Sequence, residues 1–360
     1  MLNSAALGEA REIVVRVPPG YAQGGGSYPV LYVTDADWQF PVIAEYVEYL
    51  AYWKRIPPML VVGIVNVERN RDFVPREDPS FPASGQADRF LPFLLDELRS
   101  EIDARYGGSE LELLFGHSFG GVLALHTLFQ APDAFDAFIA VGASTWVAER
   151  VLFEEAESFF AEGGRSEAMI YMSVAEADGG PTVPDGEAFA ELWRERAPDS
   201  LEWSFQVIPR TNHFTAVIPS LHQALDELFP TWGSRAELAA RLEAEGAGAV
   251  DAWFDQQHAT LGPRFFPPIM ELNELAYGLS GQAKFEHARA LSRRLRAERP
   301  DSPEVFAVAA YIELQAGDSR AALDFVHEAI AVAERVGFFA SRTQSYRQLA
   351  AKIEAGLAEG

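Results

Sequence analysis

LELLFGHSFGGVLALHTLF, residues 111–129, contains the single G-x-S-x-G sequence of the chain, Gly116-His117-Ser118-Phe119-Gly120. An apolar run precedes this motif directly, and a run with helical spacing follows it. A serine between a strand and a helix typifies a nucleophile elbow, a strained turn that exposes the serine hydroxyl. Glycines two residues before and after the serine avoid side-chain clashes in such a turn. The stretch therefore predicts a strand–turn–helix unit that carries Ser118 as a nucleophile.

The chain around this stretch alternates short apolar runs with segments of helical period. Helices are predicted at Asp88–Tyr106, Phe119–Phe129 and Thr215–Phe229. The predicted strands, several of them continuously apolar, are Ile13–Val17, Val30–Thr34, Met59–Val65, Leu111–Phe115, Ala137–Val141, Ala168–Val174 and Trp203–Ile208. Alternating strands and helices indicate an α/β fold with a mostly parallel central sheet. Sites in such sheets form at the carboxyl ends of the strands.

The last third of the chain has a different character. Strand-like runs end near Phe229, and Leu272–Pro300 and Pro303–Ala333 each have the pattern of a helix pair. Ala288 and Ala322 occupy like positions 34 residues apart, which is the tetratricopeptide period. We predict a first domain over residues 1–232 and a helical, tetratricopeptide-like region over residues 240–360. A plain helical appendix is an equal alternative.

Composition excludes several classes of protein. The chain has 360 residues, 48% of them hydrophobic, and a formal charge of −24, so nucleic acid and anionic membranes are poor partners. Without cysteine there can be no thiol nucleophile, disulfide or thiolate zinc site. Phosphate-binding, dinucleotide, zinc-protease and calcium motifs are absent from the sequence, so we expect neither cofactor nor metal. We expect a cytoplasmic protein, because no signal peptide or membrane span is recognisable.

A nucleophilic serine requires a base and an acid that orients the base. In hydrolases with a G-x-S-x-G elbow, the acid and then the base follow the serine in the chain. His213 is the predicted base, because it follows the last predicted strand while the other histidines lie in helices, in the elbow or in the tail. The acid is one of two residues that follow the preceding strand. Asp178 is favoured over Glu176 because the glycines after it suggest a tight turn.

An oxyanion hole requires two backbone donors. One is predicted to be the amide of Phe119, directly after the nucleophile. The other is expected from the loop after the strand Val30–Thr34, at Ala36 or Asp37. An alternative role for this loop is helix capping by Asp35 or Asp37.

Several segments together resemble a known family over roughly residues 11–229. They are Val15-Arg16-Val17-Pro18-Pro19-Gly20-Tyr21, Tyr28-Pro29-Val30-Leu31-Tyr32-Val33, Arg69-Asn70-Arg71-Asp72-Phe73-Val74-Pro75, Asp88-Arg89-Phe90, Asp96-Glu97-Leu98 and the elbow. The chain resembles the esterases that include enterochelin-type siderophore esterases and relatives of S-formylglutathione hydrolase. Two departures stand out. Ala36 replaces a usual glycine, and Gly142–Trp146 replaces an S-P-S-x-W sequence.

The resemblance implies an α/β-hydrolase fold and hydrolysis of carboxylic esters. It maps the nucleophile onto Ser118, the base onto His213 and the acid onto Asp178. Arg71 matches an arginine near the substrate in the siderophore enzymes, with a structural salt bridge as an equal alternative.

We also expect three residues near the motif positions to contact the substrate: Trp38, His117 and Trp146.

The predicted function is a serine esterase that acts on short-chain or aryl esters through an acyl-enzyme. Three alternatives remain open. They are an enterochelin-type siderophore esterase, an acyltransferase like the related mycolyltransferases, and a binding protein that uses the hydrolase fold only as a scaffold. The helical region offers a surface for a homo-oligomer or a protein partner.

Overall fold

The computed structural model describes residues 1–19, 21, 28–53, 55–230, 235–261, 269–338 and 340–359. It divides the chain into two compact units, Met1–Pro230 and Thr231–Gly360, called here the sheet unit and the helical unit. Residue 232, where the predicted first domain ends, lies outside the described residues, as does Gly20 of the family-like segment.

Seven strands form the central sheet of the sheet unit, and a separate two-stranded sheet precedes them. The strands are β1 (Leu2–Ser4), β2 (Glu9–Arg11), β3 (Ile13–Arg16), β4 (Tyr28–Val33), β5 (Leu60–Ile64), β6 (Gly108–His117), β7 (Ala137–Val141), β8 (Met169–Ala175) and β9 (Trp203–Ile208). The order β3-β5-β4-β6-β7-β8-β9 is parallel except for β3, which pairs antiparallel with β5. All seven predicted strands are present, so the α/β prediction is confirmed. The three-residue strands β1 and β2 were not predicted, because they are too short to show a period.

Helices connect these strands and continue into the helical unit. They are α1 (Phe40–Tyr52), α2 (Arg69–Phe73), α3 (Ala87–Pro92), α4 (Arg99–Tyr106), α5 (Phe119–Gln130), α6 (Val147–Ala161), α7 (Thr182–Arg196), α8 (Val217–Leu228), α9 (Arg235–Glu245), α10 (Ala249–Leu261), α11 (Ile269–Gly281), α12 (Phe285–Glu298), α13 (Pro303–Gln315), α14 (Ser319–Val336) and α15 (Ala340–Glu359). The helix predicted at Asp88–Tyr106 contains a π-helical segment, Phe93–Leu98, directly after Pro92. A proline inside a helix lacks an N–H and crowds the preceding turn, which accounts for the local widening.

The strand order explains where a site can form. β4 lies between β5 and β6. The chain passes from β4 to β5 on one side and then crosses over to β6 on the other side of β4. Parallel sheets bind ligands at such a switch point, beyond the carboxyl ends of the two strands. Here the loop that begins at Asp35 follows β4, and Ser118 follows β6.

The helical unit is built from successive helices with small residues at their contacts. Ala288 and Ala322, the two positions 34 residues apart, are both fully buried. Ala322 belongs to an apolar cluster with Ala310 and Ala329 that also includes residues of α15. Small side chains allow close approach of helices, as in tetratricopeptide-like stacks. No helix in the described part of the chain is long and apolar enough to cross a bilayer.

Candidate active site

The elbow between β6 and α5 requires the glycines that flank it. Ser118 has φ 60° and ψ −117°, a conformation that L-residues rarely adopt. A Cβ added to Gly116 would lie 1.9 Å from the Gly120 carbonyl oxygen, and a Cβ on Gly120 would lie 2.2 Å from Thr34 Oγ1. Only glycine therefore fits at these two positions. The turn leaves Ser118 at the start of α5, where the helix dipole favours developing negative charge.

Asp178 and His213 meet beyond the carboxyl ends of β8 and β9. His213 Nδ1 lies 2.8 Å from Asp178 Oδ2, and the Asp178 side chain is only 4% exposed. The other carboxylate oxygen accepts a hydrogen bond from the Gly179 amide at 2.9 Å. Glu176, the alternative acid, instead accepts a hydrogen bond from the Arg210 amide at 2.7 Å and so anchors the loop that carries His213.

Ser144 is a polar neighbour of Ser118 that the sequence reasoning missed. Its Oγ lies 3.3 Å from Ser118 Oγ, and the hydrogen bond of the Ser118 hydroxyl in this structure is with Ser144 rather than with His213. The sequence did contain a signal for this residue, because Ser144 stands at the position of the second serine in the S-P-S-x-W pattern. In unliganded hydrolases the contact between nucleophile and base is often loose and tightens with substrate.

The two predicted oxyanion donors after β4 have different surroundings. The Ala36 amide donates to the Ile64 carbonyl at 3.0 Å. Because this amide already has an acceptor, the prediction that Ala36 is an oxyanion donor is wrong. Among the described residues, no acceptor pairs with the Asp37 amide or with the Phe119 amide, the first of α5. The first amides of a helix lack intrahelical acceptors, which leaves Phe119 able to donate.

The capping role considered for the β4 loop is also wrong. α1 begins at Phe40, and its N-cap residue, Gln39, makes no side-chain capping bond. Asp35, buried and with φ 57°, accepts hydrogen bonds from Arg69 at 2.6 and 2.9 Å and from Asn66 at 2.8 Å. The Asp37 carboxylate accepts the Asn66 amide at 2.9 Å. Both carboxylates therefore connect the β4 loop to the loop after β5.

Of the two arginines in the R-x-R segment, Arg69 rather than Arg71 lies beside the elbow. Arg71 forms ion pairs with Glu9 and Asp72, so the structure favours the salt-bridge alternative over a substrate contact. Arg69 donates to the His117 carbonyl at 3.2 Å, and its guanidinium carbon lies 5.1 Å from the centroid of the Phe119 ring. Arg69 and Arg71 lie two residues apart on the short helix α2, so they point in different directions.

Aromatic side chains surround the elbow. Phe81 packs edge-on against Phe119 with centroids 4.9 Å apart, and Trp146 lies 5.7 Å from Phe81. Trp38 is 53% exposed and Phe214, next to His213, is 71% exposed. Of the two expected tryptophans, Trp146 thus packs with Phe81 and Phe119, and Trp38 lies against Arg69. Phe214 lies against His117 and His213. The sequence reasoning did not identify Phe81 and Phe214, because they come from separate loops.

His117 is not placed to contact a substrate, so that expectation is wrong. The residue is only 2% exposed, and its ring nitrogens are occupied by the His213 carbonyl at 2.8 Å and the Gln39 side-chain amide at 3.1 Å. Burial, followed by the neighbouring His213, lowers the pKa of His117 to about 3.

Comparison with known proteins agrees with this architecture. The model of the family described as "Putative esterase" matches residues 4–201. The siderophore triacetylfusarinine C esterase of Aspergillus fumigatus is 32% identical over 153 residues, which cover 38% of this chain and 51% of that protein. The ferri-bacillibactin esterase BesA of Bacillus subtilis is 31% identical over 134 residues, covering 31% of this chain and 46% of that protein. The chain spans about half the length of these two curated relatives.

A solved structure is similar over a longer part of the chain. The IroE-like serine hydrolase from Shewanella oneidensis superposes with a TM-score of 0.69 and 25% sequence identity, covering 82% of this chain and 97% of that one. The mostly parallel sheet, the elbow and a family match over more than half of the chain lead to one conclusion: the chain belongs to this esterase family.

Proposed function

We propose that this protein hydrolyses carboxylic esters, with Ser118 as nucleophile, His213 as base and Asp178 as the residue that orients the base. The observation that carries the proposal is the 2.8 Å pair between His213 Nδ1 and Asp178 Oδ2 on the same sheet edge as the strained Ser118 elbow. A carboxylate accepts hydrogen bonds, so His213 Nδ1 carries hydrogen and Nε2 is left free to accept a proton. This is the tautomer that a general base requires.

The reaction follows from these positions. The Ser118 hydroxyl turns from Ser144 to His213, its oxygen attacks the ester carbonyl, and His213 Nε2 takes the proton. The carbonyl oxygen becomes an oxyanion, for which the Phe119 and Asp37 amides are the proposed donors. The tetrahedral intermediate collapses, His213 protonates the departing alcohol, and an acyl-Ser118 ester remains. Water then attacks this ester with His213 as base, which releases the acid and restores the serine.

The surroundings of Ser118 support a substrate with a short apolar or aromatic part beside the ester. Trp38, Phe81, Trp146 and Phe214 provide ring faces and edges that suit such groups. The charge of Arg69 is already balanced by Asp35, and the chain carries a formal charge of −24. These charges disfavour a polyanionic substrate, so short-chain and aryl esters are the proposed class.

The second candidate is ester hydrolysis in a siderophore. Its support is the similarity to the triacetylfusarinine C and ferri-bacillibactin esterases. The two candidates are separated by comparing kcat/KM for an aryl acetate with that for a trilactone siderophore, with and without ferric iron. A preference for the trilactone by more than an order of magnitude would replace the proposed substrate class.

The experiment that tests the catalytic assignment is hydrolysis of p-nitrophenyl acetate and butyrate by the wild type and by Ser118→Ala. We expect kcat to fall by at least about 10³-fold in the variant. Ser220→Ala is the matched control, because Ser220, like Ser118, is hydrogen-bonded to another serine, at 2.9 Å to Ser173, and has no proposed catalytic role. Equal turnover by wild type and Ser118→Ala would overturn the proposal. Transfer to an added alcohol in excess of hydrolysis would favour the acyltransferase alternative.

A further inference from the structure

His117 lies next to the nucleophile in the chain, but its side chain points away from the solvent. Its Nε2 is 2.8 Å from the main-chain carbonyl oxygen of His213, and its ring centroid is 4.5 Å from the His213 ring. On the other side, Nδ1 is 3.1 Å from Nε2 of Gln39, a residue that is only 5% exposed. Both ring nitrogens are therefore used, and neither partner is a carboxylate.

The partners fix where the hydrogen of this imidazole lies. A carbonyl oxygen can only accept, so Nε2 of His117 carries the hydrogen that bonds to the His213 carbonyl. A neutral ring has one hydrogen, and Nδ1 consequently accepts from the Gln39 amide. Burial lowers the pKa of His117 to about 3, so this neutral arrangement holds through the neutral pH range. The assignment is self-consistent, because the opposite orientation of the Gln39 amide would demand a buried imidazolium.

The relay Gln39–His117–His213 connects three loops of the site. Gln39 precedes α1, and its main-chain amide donates to the Asp35 carbonyl at 3.0 Å. Gln39 therefore belongs to the loop that supplies the proposed oxyanion donor. His117 ends β6 next to Ser118, and His213 follows β9. The Glu176 carboxylate holds the same base loop from the side of Asp178, through the Arg210 amide. The base loop is thus fixed from the acid side by Glu176 and from the nucleophile side by His117.

We propose that His117 is a positioning residue, which holds the main chain of His213 at the distance from Ser118 that proton transfer requires. The inference rests on the function proposed above. The rate of proton transfer between two side chains depends on the distance between them. A displacement of one reacting group by about 1 Å can lower the rate about a hundredfold. The His117 bond acts on the base residue itself, and its other end is joined covalently to the nucleophile, so it sets this separation directly.

The test compares kcat per active serine, measured by burst titration, in His117→Phe, His117→Gln and the wild type. Phenylalanine keeps the ring volume but loses both hydrogen bonds, and we expect kcat per titrated site to fall about ten- to a hundredfold with KM little changed. A glutamine amide can reach the position of Nε2 and donate to the His213 carbonyl, so His117→Gln should recover most of the rate. Reaction of Ser118 with a fluorophosphonate should slow in parallel.

His126→Phe is the matched control. His126 is equally buried, lies on α5 and has carboxylates of Glu155 and Asp88 at 3.0 Å from its two ring nitrogens. Its loss should lower the melting temperature and leave kcat per titrated serine at the wild-type value. A purely structural role for His117 would give the same pattern, with fewer active sites and an unchanged rate at each.

Gln39→Leu provides a second measurement should His117→Phe not fold. It removes the donor to Nδ1 and should lower kcat per site several-fold. In the double variant with His117→Phe the two losses should not multiply, because both changes break the same chain of hydrogen bonds. Wild-type kcat per titrated site in His117→Phe and Gln39→Leu would overturn the inference while leaving the esterase assignment intact. Full activity of Ser118→Ala would instead overturn the assignment on which it rests.

Discussion

The candidate-site loops, meaning the loops that carry Asp35, Ser118, Asp178 and His213, differ from the helical unit in backbone conformation. Three non-glycine residues in or beside these loops have positive φ: Asp35 at 57°, Ser118 at 60° and Arg210 at 60°. In the described part of the helical unit, Ala283 is the one non-glycine residue of this kind. Left-handed backbone costs about 1–2 kcal/mol for a non-glycine residue. The sheet unit, in which Ala83 also has a φ of 68°, therefore contains more of this strain than the described part of the helical unit.

A further strained turn lies near the candidate-site loops. Ala148, Glu149 and Arg150 have consecutive φ values of 49°, 55° and 63°, directly after Trp146 and Val147. The Asp78 carboxylate accepts the Ala148 amide at 2.8 Å and holds this turn from outside. Substitutions in strained turns or in loops where polar groups meet should therefore lower the activity or stability of the sheet unit. Substitutions in regularly packed helices should lower the stability of the helical unit.

The largest effect is expected from Asp178→Asn. The amide cannot hold His213 with hydrogen on Nδ1 as a carboxylate does, and kcat should fall about 10³- to 10⁴-fold with little change in folding. Glu176→Gln is the matched control, because glutamine still accepts the Arg210 amide, and it should keep near wild-type activity. If the two variants lost activity equally, Asp178 would not be the orienting acid.

Gly120→Ala and Gly278→Ala should change stability in opposite directions. A Cβ at Gly120 meets Thr34 Oγ1 at 2.2 Å, so the elbow must shift, and we expect a loss of about 3 kcal/mol. Gly278 is exposed in α11 with open space around it, and alanine there should stabilise the helix by up to about 1 kcal/mol. Both free energies of unfolding are measured by denaturant titration. A Gly120→Ala protein as stable as the wild type would show that the elbow tolerates a side chain.

Ala322→Leu tests packing in the helical unit. Ala322 is fully buried in its cluster, and three added carbon atoms should destabilise this unit by about 2 kcal/mol. The exposed Ala331 in the same helix provides the control, because Ala331→Leu adds the same atoms in solvent. Far-UV circular dichroism follows both transitions. Esterase activity measured below the transition should be unchanged, and a loss of kcat in Ala322→Leu alone would show that the helical unit supports catalysis.

The smallest effect is expected from Asp78→Asn, which weakens the support of the strained turn by about 1 kcal/mol. The Ala148 amide, which donates to the carboxylate, holds the pKa of Asp78 below its ordinary value. A lowered pKa in the folded state stabilises the protein at pH values above the unfolded value, about 3.9, and the gain is lost as pH falls through the folded value. The difference in melting temperature between wild type and Asp78→Asn should therefore be largest near neutral pH and shrink below about pH 4. A difference independent of pH would contradict this role.

Much of the sheet unit was predictable because its signals are local. Continuous apolar runs marked strands covered on both faces, and the G-x-S-x-G motif marked the elbow at one position. The roles of Arg69 and Arg71 could not be predicted from local sequence signals. Each is a polar residue of one short motif, and only their partners, Asp35 for the first and Glu9 for the second, distinguish them. Asp35 and Glu9 lie more than thirty residues away from these arginines in the chain, although Arg71 also pairs with the adjacent Asp72. Sequence spacing cannot predict the two distant pairs.

The sequence by itself determined the α/β class, the helical character of the last third and the position of the strained serine turn, because periodicity and glycine placement act through neighbouring residues. Tertiary structure decided which carboxylate meets His213, which amides of the β4 loop remain free, and that His117 faces inward toward the His213 carbonyl. These outcomes depend on how loops from separate strands meet at the sheet edge. Hydrogen-bond partners change over less than 1 Å, which is far finer than any distance a linear pattern can specify.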